Sequence, residues 1–306
     1  MIVAVENLSH HYGSRAALSG VTFHVSRRQI FGLLGPNGSG KSTLFRILST
    51  LMAPSSGRAR IAGFEVDRDP GAVRRRIGVV FQSQSLDRKL TVQENLESQG
   101  HLYGMSGPVL KDRLESVLAA LGLAARRRDL VETLSGGLRR RVELAKAFLH
   151  QPEVLLMDEP SSGLDPGARR ELWEHLRNLR DRHEVTVLLT THILEEAEQC
   201  DRLVLLHQGR IVAEGAPAEL KARIGGDVVV LEAPAPEELA RRIRDRFRLE
   251  PRVADGALRV EIPNGHRFIT EVVEAFPGAI TSVALHKPTL EDVFLDETGI
   301  RIEGGR

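Results

Sequence analysis

Gly35, Pro36, Asn37, Gly38, Ser39, Gly40, Lys41, Ser42 and Thr43 stand in one unbroken run that fits the pattern G-x-x-x-x-G-K-[ST]. The spacing has a physical use. Glycines let backbone N–H groups converge on phosphate oxygens, and a helix starting just after them adds the positive end of its dipole. Lys41 reaches the β and γ phosphates, Ser42 offers a hydroxyl to Mg2+, and Thr43 adds a hydrogen bond. Alone, the loop specifies a nucleoside triphosphate and nothing more. A second element, Val154-Leu155-Leu156-Met157-Asp158-Glu159, carries two adjacent carboxylates at the C-terminal end of an apolar run, where ligands bind in open α/β sheets. Asp158 suits Mg2+ and Glu159 suits activation of the attacking water, because neighbouring side chains on a strand diverge. Taken by itself the pair also fits a solvated acidic strand end. Loop and pair together specify a nucleotide hydrolase.

The elements that must position these residues are legible from apolar periodicity. Residues 2–5, 21–25 and 29–34 read as strands, the last ending at the glycine loop. Ser42 to Met52 has apolar residues at Leu44, Ile47, Leu48 and Leu51, a helical spacing that stops before Pro54. From about 88 to 150 the pattern becomes helical, over 91–103, 109–121 and 136–149. Strands return at 154–157, 186–190 and 202–207, with a charged helix over 169–182. Strands alternating with helices imply a two-sided parallel sheet. Gly225-Gly226 breaks the chain into two expected domains, residues 1–222 and 227–300. The second reads strand 228–231, helix 236–247, strands 249–254 and 258–262 around an Asp255-Gly256 turn, helix 267–276 and strand 280–285. That order is a ferredoxin-like α+β βαββαβ unit.

The chain has 306 residues, 42% hydrophobic and 27% charged, enough for two globular domains and far from a disordered composition. Lys plus Arg at 42 against Asp plus Glu at 41 gives a net charge of +1, which favours neither nucleic acid nor anionic lipid. A single cysteine, Cys200, fits a reducing cytoplasm and a packing role. The amino terminus does not read as a signal peptide, and the apolar runs fall well short of the roughly 20 residues of a membrane span. Membrane attachment requires a partner. His10-His11 lacks metal-ligand spacing. The arginine runs 74–76, 126–128 and 139–141 read as solvated helix faces.

Leu134-Ser135-Gly136-Gly137 lies about twenty residues before the Asp158-Glu159 strand, as the signature motif does in ABC ATPases. Around it Tyr12 in HHYG resembles the adenine-stacking aromatic, and Gln82 in VVFQ resembles the glutamine loop. Ser161 to Asp165 in SSGLD resembles the D-loop, and His192 in TTH resembles the switch histidine. All occur in family order over residues 2–222. Leu138 departs from the glutamine that many members carry. The tail Pro288 to Leu295 with Thr298-Gly299 is similar to the branch that serves daunorubicin-resistance, multidrug and polysaccharide or lipo-oligosaccharide exporters.

The resemblance implies a P-loop ABC ATPase domain with a parallel-sheet core, N-terminal antiparallel strands and a helical subdomain, followed by a small accessory domain. It implies ATP and Mg2+ as cofactors, with Ser42, Gln82 and Asp158 as metal ligands. Glu159, His192, Gln82 and Lys41 take the catalytic roles. Two copies would sandwich two ATP molecules, Ser135, Gly136 and Gly137 of one completing the site of the other. A separate transmembrane permease would hold the dimer on the inner face of the cell membrane, with no nucleic-acid partner. Two other readings suit the same motifs: a soluble ABC ATPase without transport, and a regulatory switch that binds nucleotide without turnover.

Overall fold

A computed structural model describes residues 1–254, 256–300 and 302. The chain opens with β1 (Val3–Tyr12) and β2 (Arg15–Val25), an antiparallel hairpin longer than the segments expected at 2–5 and 21–25. Register shifts at three places along β1, with Asn7 at φ 48°, interrupt the two-residue alternation by which a strand is recognised. β3 (Ile30–Leu34) runs through the glycine loop into α1 (Lys41–Leu48). The helix stops short of Met52 because Thr50 takes a left-handed backbone, which leaves Leu51 exposed. β4 (Ser56–Ile61), β5 (Phe64–Glu65), α2 (Pro70–Arg74) and β6 (Ile77–Val80) follow, strands too short or too arginine-rich to have been expected.

Three helices then intervene, α3 (Val92–Leu102), α4 (Gly107–Ala120) and α5 (Gly136–Phe148). After them come β7 (Val154–Asp158), α6 (Pro166–His183), β8 (Thr186–Thr191), α7 (Leu194–Ala197), β9 (Arg202–His207), β10 (Arg210–Gly215) and α8 (Pro217–Lys221). Two sheets result, one ordered β2-β1-β4-β5 and antiparallel, the other ordered β10-β9-β3-β8-β7-β6. In the second, β9, β3, β8, β7 and β6 pair in parallel, so the expected parallel core with antiparallel N-terminal strands is present. β3 and β7 are adjacent to β8 on either side, which brings the glycine loop and the Asp158-Glu159 end to one edge of the sheet. Between the sheets Phe23 stacks on Phe31 at 5.3 Å and both are fully buried with Leu33, Leu44 and Ile47.

The chain divides into two compact units, Met1–Val212 and Ala213–Ile302. The division falls ahead of Gly225-Gly226 because α8 packs with the last helix, α11 (Leu290–Thr298), in the second unit. That unit contains β11 (Asp227–Glu232), α9 (Pro236–Phe247), β12 (Arg252–Ala254), β13 (Ala257–Ile262), α10 (Gly265–Ala275) and β14 (Ser282–His286). Its sheet, β12-β13-β11-β14, is antiparallel throughout and matches the expected βαββαβ order. Asp255 of the expected turn lies outside the described residues.

The tail motif has a mechanical explanation. Thr289 caps α11, its hydroxyl accepting from Asp292 N at 3.2 Å while the Asp292 carboxylate accepts from Thr289 N at 2.8 Å. Asp292, 5% exposed, also pairs with Arg259 of β13, and Leu290, Val293, Phe294 and Leu295 are buried. Replacing Thr289 by Ala is therefore expected to cost about 1 kcal/mol of second-unit stability, read from denaturant unfolding.

Candidate active site

The glycine loop is held by close backbone approach. A Cβ on Gly35 would meet Leu206 O at 2.2 Å, and one on Gly40 would meet Ala17 O at 2.7 Å, while Gly40 also sits at φ 108°. Both positions exclude any side chain. Lys41, 4% exposed, donates to Gly35 O at 2.7 Å and Pro36 O at 3.0 Å, and its Nζ lies 4.0 Å from Glu159 Oε1. Burial lowers the Lys41 pKa, while the carboxylates of Glu159 and Asp158 draw it back up. Two of three ammonium N–H groups are thus engaged, and the third is available to a phosphate oxygen.

Glu159 is the hub of the site. Gln82 Nε2 donates to Glu159 Oε2 at 3.1 Å, and His192 Nδ1 lies 3.1 Å from Glu159 Oε1. A carboxylate only accepts, so the proton of the second contact belongs to Nδ1. Three residues distant in sequence, Lys41, Gln82 and His192, therefore meet around the Glu159 carboxylate. Glu159 has φ 44°, an uncommon backbone for a residue of this kind, held by Thr190. The Thr190 hydroxyl accepts from Glu159 N at 2.9 Å and donates to Asp158 Oδ1 at 2.6 Å, so one group orients both members of the acidic pair. Thr190 is a residue of the acidic pair's surroundings that sequence reasoning missed; a polar residue closing the apolar strand Val187-Leu188-Leu189 was its signal.

A cleft of about 640 Å³ opens over the loop, lined by Tyr12, Asn37, Gly38, Gly40, Lys41, Ser42, Thr43 and Glu159, with Arg15 and Gln208 not foreseen. Tyr12 is 45% exposed, its ring set edge-on to His10 at 4.8 Å, so one face is open to a planar base. Ser39 is buried below the loop and Gly209 N donates to its carbonyl at 2.9 Å. Gln82, Asp158 and His192 reach the cleft through Glu159 and Thr190 rather than lining it. Ser135, Gly136 and Gly137 do not line it. Ser135 caps α5, accepting from Leu138 N at 3.3 Å.

One expectation is overturned here. Arg140, within the run 139–141 read as a solvated helix face, is 7% exposed. Its guanidinium donates to Pro160 O at 2.6 Å, Phe81 O at 2.7 Å, Glu159 O at 3.2 Å and Glu143 Oε2 at 2.9 Å. Glu143 in turn accepts from Ser85 N. A buried ion pair thus joins the two chain segments that carry Gln82 and Glu159. Helical spacing could have shown it, since Arg140 precedes buried Leu144 and Phe148 by four and eight residues.

The residues expected to hold a divalent cation, Ser42, Gln82 and Asp158, each offer an oxygen donor of the kind Mg2+ accepts. Among the described residues no group of three His, Cys, Asp or Glu side chains is placed to hold a metal by itself. The arrangement fits a cation that takes much of its coordination from substrate phosphates and water.

Comparison with known proteins agrees with this fold. Residues 18–162 match the family model described as ABC transporter. Daunorubicin resistance ATP-binding protein DrrA3 of Streptomyces coeruleorubidus is 39% identical over 97% of this chain and 96% of its own length. Nod factor export ATP-binding protein I of Paraburkholderia xenovorans (strain LB400) is 41% identical over 97% of each. Among solved structures, an ATP-binding subunit of an ABC transporter superposes with TM-score 0.65 at 33% identity, over 74% of this chain and 94% of that one. A dimeric, post-hydrolysis ATP-binding cassette bound to ADP and Pi gives TM-score 0.62 at 29% identity, over 70% and 98%.

Proposed function

The chain belongs to the ABC transporter family of ATP-hydrolysing cassettes, and from that premise we propose that it powers export through a separate transmembrane permease, working as a homodimer on the cytoplasmic face of the membrane. The observation that carries this reading is the convergence of Lys41, Gln82 and His192 on Glu159. Glu159 accepts a proton from the attacking water while Lys41 and the loop amides hold the γ-phosphate, and the His192 N–H that faces Glu159 in this structure turns to the same phosphate when nucleotide is bound. Ser42, Gln82 and Asp158 would hold Mg2+, which would supply charge neutralisation at the phosphates. Tyr12 stacks on the adenine. Residues 1–222 form the cassette and 227–300 an accessory domain, and the cargo is of the drug, lipid or polysaccharide-like class, in keeping with relatives named for daunorubicin resistance and Nod factor export. Among the described residues no helix is long and apolar enough to cross a membrane, in keeping with a separate permease.

Because Ser135, Gly136 and Gly137 lie outside their own cleft, each site is completed by the partner copy. Mixing two inactive variants tests this. Lys41→Met removes the phosphate cation from that chain's own site, and Ser135→Arg blocks that chain's contribution to its partner's site, so in a mixed dimer both lesions fall on the same site. Each alone is expected to hydrolyse almost no ATP, whereas an equimolar mixture recovers about a quarter of wild-type turnover, since half the dimers hold one intact composite site. Phosphate release with Mg2+, and its loss on chelation, is the readout. A mixture as inactive as its components argues against shared sites.

A further inference from the structure

The active site sits in a ring of contacts that is open at one joint. From Glu159 the chain turns tightly through Ser161 to Asp165, with Ser162 N donating to Glu159 O at 3.1 Å. Asp165 caps α6, and Arg169 N closes the first helical turn on Asp165 O at 3.0 Å. From the other side, His192 is flanked by a strap: Thr191 Oγ1 accepts from Ile193 N at 2.9 Å and donates to Glu196 Oε2 at 2.7 Å. The Glu196 side chain is 1% exposed. Its second oxygen, Oε1, and Arg169 Nε are both buried without a hydrogen-bond partner, and they face each other across 3.9 Å.

A buried carboxylate oxygen and a buried guanidinium N–H left unbonded are each costly, and here each is the other's nearest remedy. Arg169 also reaches Glu195 at 3.4 Å, but that carboxylate is 83% exposed and holds the arginine weakly. A shift of about 1 Å brings Arg169 Nε onto Glu196 within normal hydrogen-bond distance.

We propose that Arg169 and Glu196 are a positioning pair for the hydrolytic reaction: when their contact closes, it fixes the Thr191–Ile193 strap and so sets His192 against Glu159, tying that geometry to the segment Ser161–Asp165. The inference rests on the roles given above to Glu159 and His192. Burial pushes the Glu196 carboxyl above its usual range, against the pull of Thr191, Arg169 and His192, which marks a site lacking a full counter-charge contact. Neither residue lines the cleft; both act through the strap.

The test uses Glu196→Gln, Arg169→Gln and the double variant in the full chain. Glutamine keeps an acceptor for Thr191 and nearly the same volume while removing the charge. Each single change is expected to lower kcat about tenfold with KM for ATP within about twofold, because orientation is lost and binding is not. The double variant loses no more than the worse single one, since both open the same joint. Losses that multiply in the double variant, or lower melting temperatures with kcat per folded chain unchanged, overturn the pair. Should Arg169→Gln not fold, Arg169→Lys keeps the charge without the fork, and an unchanged kcat there overturns it equally. A wild-type chain without turnover is a different failure, of the reading of Glu159 and His192 itself.

Discussion

Glu159→Gln is expected to reduce steady-state ATP hydrolysis about 10³-fold while leaving ATP binding intact. The wild-type carboxylate accepts from Gln82 through Oε2 and from His192 through Oε1, and its charge faces Lys41 Nζ at 4.0 Å. An amide in its place has one acceptor and one donor end. It can accept from Gln82 and meet His192 only if the imidazole takes the other tautomer, and it cannot take a proton from water. Shape and loop backbone are unaffected, so the cleft still receives nucleotide. In the composite-site arrangement the nucleotide then persists, and the chain collects as an ATP-held dimer. Phosphate release and light scattering, each with and without ATP, read the two effects separately. Turnover within tenfold of wild type would remove Glu159 from the role of general base, whereas loss of ATP binding would make it part of the phosphate cradle instead.

The residues that carry this chemistry were legible where their signal is local. Gly35 to Thr43 and Asp158-Glu159 each sit in one short run whose flanking strand and helix are themselves periodic, and the structure places them at one edge of the parallel sheet. Tyr12, Gln82 and His192 were recognised by family order, because single residues in loops have no spacing to read. What escaped is what depends on depth. Thr190 looks like one more β-branched strand residue, and only the fold shows its hydroxyl shared between Glu159 N and Asp158. The strands 56–61 and 77–80 were missed because one alternates with arginine and the other is four residues long. Asn7 and the register shifts of β1 hid the length of the first hairpin in the same way. The second unit was more transparent, most of its strands and helices being bounded by Gly, Pro or Asn and the apolar faces of β11, β13, α9 and α10 forming its core.

Arg140 is the sharpest case of depth overriding composition, and it carries the largest stability effect. Three consecutive arginines suggest a solvated face, yet on a helix successive residues point about 100° apart, so one of three neighbours can be buried while the others are not. Arg140→Met is expected to destabilise the first unit by about 3–5 kcal/mol, because it strands Glu143, 3% exposed, without its counter-ion. It also deprives the carbonyls of Phe81, Glu159 and Pro160 of a donor, so the segments bearing Gln82 and Glu159 lose their common tether. Arg141→Met is the matched control: its partner Glu171 is 53% exposed, and the expected cost is about 0.5 kcal/mol. Adding Glu143→Leu to Arg140→Met removes the uncompensated charge and should recover much of the loss, since two neutral groups of similar size are tolerated better than one buried ion. Turnover should not return with it, because methionine and leucine restore packing but cannot hold Phe81, Glu159 and Pro160 together. Guanidinium unfolding of the four chains, followed by ATP hydrolysis at a concentration where all are folded, separates the two consequences. Equal costs for Arg140→Met and Arg141→Met would show that the buried pair contributes nothing to stability beyond a surface one.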